Sequence, residues 1–441
     1  MRLSSALIIL LFITHCSFDD KTGIWKNSNN ITKKENDLFK DFEKISTKEK
    51  SFKEVISPDK NYKIRLSKPV SNNKWPDIFF SQTNNSAHFM ISDQNEIIFQ
   101  SKKISKRETN EYLLYEGHNL ITSNHRGHII IYSIKDKEII SSFNFYKKKY
   151  KKIKIKVNLI LENNIVYVSD NIGFLYAYDF LEKKILWAKN YKKPFRSNIK
   201  IYKNRLITSN QNNDLFIFDK ESGEIVKQIP TEETIVKNQF INNLSLNQES
   251  IFFINTFGSL YSINKKNMNI NWVVNLNPKG GLNYSNIFLG SEIINDGEKV
   301  IISSNDFLYV IDATSGSIMF KKNFSLKIKP IILDNHLFLI TQNNMLSAIN
   351  LRNGQIIYSF NINTKIADFL KVKQKKAEIK SFVLANNNIL IFLKNSYLLK
   401  FSIYGDLSEI KKLPSKIKSY PIVINGNILY LNNKNKIIVI G

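Results

Sequence analysis

Three histidines stand close together in the stretch "EGHNLITSNHRGH" and form the densest group of side chains that could do chemistry. Three imidazole rings are enough to hold a zinc ion. His125 and His128 fall in a predicted turn, however, and no carboxylate stands near them in sequence as an orienting partner. We therefore interpret His118, His125 and His128 as residues of a solvent-exposed turn, and the sequence predicts no metal site.

The pair Gly280–Gly281 lies in "NLNPKGGLNYSN". A phosphate-binding loop would continue with Lys-Ser or Lys-Thr and then a helix, and neither follows the pair here. The stretch is better explained as a long connection between two structural units.

The composition narrows the classes of function. The chain has 441 residues and a formal charge of +26, and seven of its 64 basic residues are Arg. Bidentate contacts to phosphate and guanine favour Arg, so a lysine excess does not indicate nucleic-acid binding. Attraction to an anionic membrane surface is favoured instead. The single cysteine, Cys16, excludes an intramolecular disulfide and a cysteine-based metal site.

The first 16 residues, "MRLSSALIILLFITHC", have a basic start and an apolar run over residues 6–13. The run is too short to span a membrane as a helix and predicts a signal peptide. Because it ends near a cysteine, it resembles a bacterial lipoprotein signal, in which Cys16 becomes the lipidated first residue. His15 departs from the Gly, Ala or Ser usual at that position. Ser17 after the cysteine implies, by the same resemblance, sorting to the outer membrane. An ordinary signal peptide with an incidental thiol is the alternative.

Residues 17–67 are polar and rich in Asn and Lys. No apolar period is sustained at their start, so we predict a tether between the anchor and a folded body. The predicted domains are therefore a signal peptide over 1–16, a tether over 17–67 and a folded body over 68–441.

The folded body repeats one hairpin with different residues. Each copy has an alternating strand that ends in a polar residue, a tight turn that often contains Gly, and a further strand, which in four copies carries an aromatic residue eight positions after the polar one. The polar side chain can accept hydrogen bonds from the turn, and the glycines can adopt positive φ. These positions are Asp179, Asp219, Asn264, Asp312 and Asn350 (polar), Gly223, Gly316 and Gly354 (turn), and Trp187, Trp272, Phe320 and Tyr358 (aromatic, expected to pack between units).

The spacing of the copies indicates the architecture. A period of about 40–50 residues with four short strands per unit is typical of a β-propeller, in which each sheet buries both faces between its neighbours. We predict an all-β fold, an eight-bladed β-propeller of four-stranded antiparallel blades. The last unit, "YPIVINGNILYLNNKNKIIVIG", stops after three strands. We expect Glu96–Ser101 to supply its missing strand, with Phe99 in the aromatic position, because a bare edge is a liability.

The units resemble the PQQ-type propeller repeat, "G-x-L-x-A-L-D-x-x-T-G-x-x-x-W". "GFLYAYDFLEKKILWA" and "DFLYVIDATSGSIMFK" match it best. This family has two large branches, the quinoprotein dehydrogenases and the BamB-like lipoproteins of the outer-membrane barrel-assembly machinery. The resemblance covers roughly residues 68–441. The stretch "LSKPVSNNKWPDIFFSQTNNSAHF" is similar to the segment that precedes the ring in alphaproteobacterial BamB-like chains.

The residues favour the second branch. A quinone-dependent dehydrogenase needs a slot for a flat cofactor, a set of Ca²⁺ ligands and a base. The resemblance adds a vicinal disulfide, which a chain with one cysteine cannot form. We also find no acidic pair framed by Trp that would suggest a cofactor site. The prediction is a protein that is not an enzyme and binds no cofactor.

The resemblance implies a lipid-anchored scaffold on the periplasmic face of the outer membrane. Its partners would be the barrel-assembly protein and other subunits of the complex, and unfolded outer-membrane proteins are further candidates. Two stretches, 277–293 and 364–382, depart from the period and are the expected binding loops. A PQQ-dependent dehydrogenase and a propeller that binds cell-wall polysaccharide remain as alternatives. Location alone selects four candidate contact residues: Asn277, Lys279, Asn283 and Tyr284.

Overall fold

The computed structural model describes residues 52–92, 96–146, 150, 152–233, 244–277, 288, 290–304 and 306–441, and the backbone of residues 16–18 and 25–27. Residues 1–50 and 51–441 form two separate units. In the first unit, β1 (Cys16–Phe18) pairs with β2 (Trp25–Asn27) in a two-stranded antiparallel sheet. Residues 1–15 of the predicted signal peptide lie outside the described residues.

The second unit contains eight four-stranded antiparallel sheets, or blades, which we name A to H. They confirm the predicted all-β, eight-bladed propeller. Two short strands, β3 (His88–Phe89) and β4 (Ile97–Gln100), precede blade A. Blades A to D contain β5 (Leu114–Glu116), β6 (Asn119–Ser123), β7 (His128–Ser133) and β8 (Glu138–Asn144); β9 (Val157–Glu162), β10 (Ile165–Asp170), β11 (Phe174–Asp179) and β12 (Lys184–Asn190); β13 (Lys200–Tyr202), β14 (Arg205–Ser209), β15 (Leu215–Asp219) and β16 (Ile225–Ile229); and β17 (Leu244–Leu246), β18 (Ser250–Ile254), β19 (Ser259–Asn264) and β20 (Ile270–Asn275).

The remaining blades repeat this plan. Blades E to H contain β21 (Ile294–Asn295), β22 (Lys299–Ser303), β23 (Leu308–Asp312) and β24 (Ile318–Lys322); β25 (Ile331–Leu333), β26 (His336–Ile340), β27 (Met345–Asn350) and β28 (Ile356–Asn361); β29 (Ile379–Ala385), β30 (Asn388–Leu393), β31 (Tyr397–Ser402) and β32 (Leu407–Lys412); and β33 (Ile422–Ile424), β34 (Asn427–Leu431) and β35 (Ile437–Ile440). β3 adds a fifth, parallel strand to blade G.

The repeated hairpin forms as the sequence predicts. In blade B, Oδ1 of Asp179 accepts hydrogen bonds from the backbone N–H groups of Leu181 (3.0 Å) and Glu182 (2.9 Å), so the side chain holds the turn between the third and fourth strands. Asp219, Asn264, Asp312 and Asn350 accept equivalent bonds. The turn glycines Gly223, Gly316 and Gly354 have φ of 73°, 75° and 71°, which confirms their predicted role.

The aromatic positions pack between blades, as predicted. Nε1 of Trp187 in blade B donates to the carbonyl oxygen of Lys220 in blade C at 2.9 Å, and its ring covers Gly223. Trp272 in blade D makes the same contact with the turn of blade E, where its Nε1 donates to Ala313 at 3.2 Å. The apolar core is correspondingly divided into clusters that each draw on adjoining blades.

The ring closes through β4. This strand pairs antiparallel with β35, with Gln100 opposite Ile438 and Val439 opposite Phe99. Backbone hydrogen bonds between Glu96 and Gly441 extend the pairing. Blade H therefore consists of three C-terminal strands and one strand from before blade A, which confirms the predicted closure. The ring of Phe99 lies 6.1 Å from that of Tyr132 in blade A, so it also takes the predicted aromatic position.

The described end of the predicted tether, residues 52–67, lies against the propeller. The backbone of Ile56 pairs with Ser359 on the outer strand of blade F, with N–O distances of 2.9 Å. Phe52 packs on Phe324 with their ring centroids 4.8 Å apart, and Ile64 is buried. Because these scattered apolar side chains bury against the blades, residues 52–67 belong to the folded unit, and the structure begins that unit earlier than residue 68.

One helix, α1 (Ile362–Leu370), connects blades F and G. It lies in the stretch 364–382 that departs from the repeat period. Oδ1 of Asn361 accepts from the backbone N–H groups of Asn363 and Thr364, so Asn361 caps the first turn. Among the described residues, α1 is the one α-helix, and nothing in that part of the chain has the length and apolar content of a membrane-spanning helix.

Candidate functional site

The two ends of the propeller differ. Connections between blades, such as residues 323–330, lie at one end, which we call the loop end. The turns that follow the third strands, such as 180–183, lie at the opposite end, which we call the turn end. The first strand of each blade faces the axis, and the half-exposed fourth strands form the rim.

The axis is filled by the chain itself. Residues 70–92, which we call the axial segment, run inside the ring of first strands and contact all eight blades. The contacts, from blade A to blade H, join Trp75 to Tyr115, Pro76 to Leu161, Gln82 to Ile201, Gln82 to Leu246, Thr83 to Asn295, Asn85 to Ile332, Phe89 to Ala385 and Asn72 to Val423. The polar side chains of this segment thereby satisfy strand groups that would otherwise face an open channel.

A buried ion pair fixes the middle of the axial segment. Nζ of Lys200 lies 2.6 Å from a carboxylate oxygen of Asp77, and both side chains are almost fully shielded from solvent, with 0% and 3% exposed. Lys200 also donates to the carbonyl oxygen of Ser81 at 2.8 Å and to Oδ1 of Asn84. Burial lowers the pKa of Lys200, and the carboxylate of Asp77 opposes that shift. All three ammonium protons have partners, as a buried charge requires.

A second lysine binds the same segment from the loop end. Lys329 donates to the carbonyl oxygens of Asn84 and Phe79 and lies 3.4 Å from Oγ of Ser86. Its partners are all neutral, and burial lowers its pKa to about 8. Lys200 and Lys329 together hold the axial segment in place.

A cavity of about 160 Å³ remains on the axis beside Lys329. Its floor includes Trp75 and Phe79, and its wall includes the stacked rings of Tyr112 and Tyr420, whose centroids are 5.0 Å apart. Burial raises the pKa of Tyr420 to about 12, so its hydroxyl is protonated at neutral pH. The cavity is therefore a small aromatic recess with basic side chains around it.

The structure describes one of the four predicted contact residues. Asn277 follows β20 at the loop end, and its backbone N–H donates to Oδ1 of Asn275 at 2.8 Å. Lys279, Asn283 and Tyr284 lie outside the described residues. Cys16, the predicted lipidation site, is placed in β1 by its backbone alone.

The three histidines do not come together. His118 lies in the turn before β6, at the turn end, whereas His125 and His128 follow β6 at the loop end. Nδ1 of His125 lies 3.3 Å from a carboxylate oxygen of Glu108, a partner 17 positions away that the local sequence did not reveal. Burial lowers the pKa of His125. Within the described residues no group of three His, Cys, Asp or Glu side chains has the arrangement of a metal site.

Sequence reasoning missed the axial segment as a functional element. Its stretch "NNKWPDIFFSQTNNSAHF" is rich in Asn, Ser and Thr, a composition that also suits an exposed loop. The available signal was the combination of this polarity with the large apolar residues Trp75, Phe79 and Phe89, all of which are buried.

Comparison with known families links part of the chain to one family. The family described as outer membrane protein assembly factor BamB matches residues 147–359, just under half of the chain. No curated protein matches the sequence.

Comparison with solved structures shows the same fold in proteins of different function. BamB from Moraxella catarrhalis is similar with a TM-score of 0.61 and 13% identity, over 78% of this chain and 99% of that one. Quinohemoprotein alcohol dehydrogenase from Comamonas testosteroni has a TM-score of 0.61 and 10% identity, over 83% of this chain and 80% of that one. A europium-containing methanol dehydrogenase has a TM-score of 0.57 and 11% identity, over 83% of this chain and 89% of that one. At these identities the likeness concerns the fold, and function has to be argued from the site.

Proposed function

We propose, from the premise that this chain is a BamB-like protein of PQQ-type repeats, that it is a non-catalytic scaffold in the machinery that assembles β-barrel proteins in the outer membrane. The protein lies on the periplasmic face of that membrane and is anchored through a lipid on Cys16. It binds the periplasmic domains of the barrel-assembly protein and other subunits of the complex through connections at the loop end.

The axial segment is the observation that carries this proposal. A wider depression of about 620 Å³ beside the axial segment is open and is lined by residues such as Thr83, Asn85 and Asn295; none of its described lining residues is a Phe, Tyr or Trp that could stack on a flat cofactor. PQQ is a tricyclic tricarboxylate, whereas the more enclosed recess beside Lys329 is about 160 Å³, close to the volume of a cavity that holds benzene. PQQ does not fit in that space. Two basic groups of the axis, Lys200 and Lys329, already bond to Asp77 and to backbone carbonyls of the axial segment. A dehydrogenase would need those groups and that space for its cofactor.

The loop end supports a role in binding proteins. Propellers carry variable connections between blades on one end, and such connections bind partners because they can change without disturbing the blades. Here the second departure from the repeat, 364–382, follows an outer strand and so begins at that end, as does Asn277, the first residue of the departure 277–293. Asn277, Lys279, Asn283 and Tyr284 remain proposed contacts in the first of these stretches.

Affinity purification from native membranes tests the proposal. We expect mass spectrometry of the eluate to identify the barrel-assembly protein, and mock purification from untagged cells to lack it. Absence of that protein from the eluate would remove the proposed function and leave the fold untouched.

The alternative of a dehydrogenase has its own test. The purified protein is incubated with PQQ and Ca²⁺, dialysed, and examined for a visible absorbance band and for alcohol-dependent dye reduction. We expect neither, and the appearance of both would replace the scaffold proposal with an enzymatic one.

The Cys16→Ser variant tests the anchor. We expect it to leave the membrane fraction and to lose labelling by a fatty-acid analogue. If it stayed in the membrane as the unchanged protein does, lipidation would not be what holds the protein there.

A further inference from the structure

Helix α1 is fixed to the propeller by residues 362–367. Ile362 is fully buried in the apolar cluster of blades F and G, and Ala367 is 9% exposed. Nζ of Lys365 lies 3.2 Å from a carboxylate oxygen of Asp406 and 4.2 Å above the centre of the Phe360 ring. The beginning of the helix is therefore part of the folded body.

The last three residues of α1 and the residues that follow project from the body. Every residue from 368 to 376 is exposed, and we call these nine residues the α1 protrusion. Three of them are large apolar residues: Phe369, Leu370 and Val372, at 46%, 49% and 55% exposed. Single exposed apolar residues are ordinary, but three within four positions gather exposed apolar surface at the end of one helix.

The backbone at the tip is held in one conformation. Lys371 ends the helix with φ of 54°, and the N–H of Val372 donates to the carbonyl oxygen of Ala367 at 3.0 Å. This is a hydrogen-bonded helix end, so the three apolar side chains are presented on an ordered backbone. Their exposure does not come from a frayed terminus.

The α1 protrusion is strongly basic. It contains four lysines and one aspartate, a net charge of +3 in nine residues. In the described part of the chain, none of these lysines has a carboxylate within 4 Å. A folded protein usually spaces or pairs such charges, because like charges repel.

Further lysines gather beside the protrusion. The pKa of Lys327 is lowered by burial first, and then by the charges of Lys376 and Lys394. Lys394 is 4.0 Å from Glu378, a weak pairing between two largely exposed groups. The surface formed by the α1 protrusion with Lys327 and Lys394 therefore combines basic charge with exposed apolar side chains.

We propose that this surface docks an acidic protein face, with Phe369, Leu370 and Val372 entering an apolar cleft of the partner. This inference rests on the proposed function and names the part of the scaffold that contacts the barrel-assembly protein. An acidic partner would neutralise the unpaired lysines, and desolvation of the apolar patch would supply the central contact.

The shape of the loop end favours a folded protein over a lipid surface. The exposed α1 protrusion and the recess between Tyr112 and Tyr420 are linked through Lys327, which lines the recess and whose pKa is lowered by burial and by the charge of Lys376. A projection beside a recess suits a partner of fixed shape, since both can be matched in one contact. A bilayer surface is flat and presents no group of fixed position to the recess.

The inference is tested by biolayer interferometry. The assay measures binding of the full chain to the purified periplasmic domains of the barrel-assembly protein. The charge variant is Lys371→Glu with Lys373→Glu and Lys375→Glu, and the apolar variant is Phe369→Ser with Leu370→Ser. We expect the dissociation constant to rise about 30-fold or more for the first and about 10-fold for the second. The matched control is Lys135→Glu with Lys137→Glu and Lys183→Glu at the turn end, for which we expect a change below about twofold.

The outcomes separate the two proposals. If the unchanged protein binds and both variants bind equally well, the docking surface is wrong and the proposed function stands. The docking surface is also wrong if the control weakens binding as much as the charge variant. If the unchanged protein does not bind, the proposed function fails and this inference fails with it.

A parallel assay with vesicles of phosphatidylcholine and phosphatidylglycerol tests the lipid alternative. If the variants lose vesicle binding and keep partner binding, the assignment of the surface to a protein partner is overturned.

Discussion

The indole ring of Trp187 in blade B leaves no room for a side chain at Gly223 in blade C. A β-carbon built on Gly223 would lie 2.5 Å from that ring, and the φ of this glycine, 73°, is itself unfavourable for other residues. Trp272 and Gly316 repeat the relationship at 2.6 Å. The turn glycine is thus required twice, once by its backbone and once by the neighbouring blade, and the aromatic residue and the glycine form one interlocking contact between blades.

Replacement of Gly223 by Ala should therefore destabilise the propeller. We expect the free energy of unfolding to fall by about 2–4 kcal/mol, because backbone strain adds to the clash with Trp187. Urea denaturation followed by fluorescence measures the change. The control is Gly117→Ala, where φ is 54° and no heavy atom lies within 4 Å of the added carbon. For this control we expect the free energy of unfolding to fall by about 1 kcal/mol. An equal loss at both glycines would contradict the interlocking contact.

Removal of the Lys200 ammonium group should destabilise the propeller through its axial segment. In Lys200→Met the carboxylate of Asp77 stays buried without its partner, so we expect a loss of about 3–5 kcal/mol in the free energy of unfolding. Adding Asp77→Asn should recover part of that loss, since the uncompensated charge is then gone. Lys220→Met, which breaks a more exposed pair with Glu162, is the control and should cost less than about 1 kcal/mol. Similar losses for Lys200→Met and the control would show that the axial pair does not hold the segment.

The register of the closing strands can be tested with a disulfide. In a Cys16→Ser background, Gln100→Cys and Ile438→Cys place thiols on directly opposite residues of β4 and β35, so oxidation should join them. The oxidised protein should melt at a higher temperature than the reduced protein, because the bond closes a long loop. Mobility on a non-reducing gel reports the bond. The pair Gln100→Cys with Val439→Cys is shifted by one position, and equally fast oxidation of that pair would refute the register.

Stability should depend on the ionisation of Asp312. Its pKa lies below the ordinary aspartate value because the backbone N–H and side chain of Ser315 donate to the carboxylate. A lowered folded-state pKa stabilises the protein at pH values above the unfolded-state pKa, and this contribution is lost as the pH falls through the folded-state pKa. Asp312 is only partly buried, and solvent screens its carboxylate, so we expect an effect below about 1 kcal/mol.

The measurement is the melting temperature of the unchanged protein and of Asp312→Asn between pH 6 and pH 3. The unchanged protein should have the higher melting temperature at pH 6, and the two should converge toward pH 3. The reciprocal variant is Asn264→Asp, since Asn264 holds the equivalent turn with an amide. It should acquire a pH dependence of the same sign, and a constant difference across the range would contradict the assignment to this carboxylate.

Much of the fold could be predicted because its determinants are local and periodic. The bond from Asp179 to its turn spans three positions, and the aromatic residue follows at a fixed offset. Such features recur in most copies and reinforce one another. The closure by Glu96–Ser101 was predictable for a related reason, since the last unit visibly lacks a strand and unpaired strand edges are unfavourable.

The contact surface was much less predictable. The departure of residues 364–382 from the repeat marked the stretch as unusual. The sequence does not show, however, whether Phe369 and Leu370 are buried or exposed, because apolar residues are common throughout this chain. That follows from the burial of Ile362 and Ala367, which fixes the helix on the blades.

The sequence by itself determined the repeating unit, the number of blades and the strand that closes them, because strand alternation and turn chemistry act over a few residues and recur. The tertiary structure alone decided what fills the axis. Asp77 and Lys200 are 123 positions apart and belong to no period. Their pairing depends on the ring bringing eight first strands around one segment, and only the closed ring creates a low-dielectric interior in which that charge must be matched.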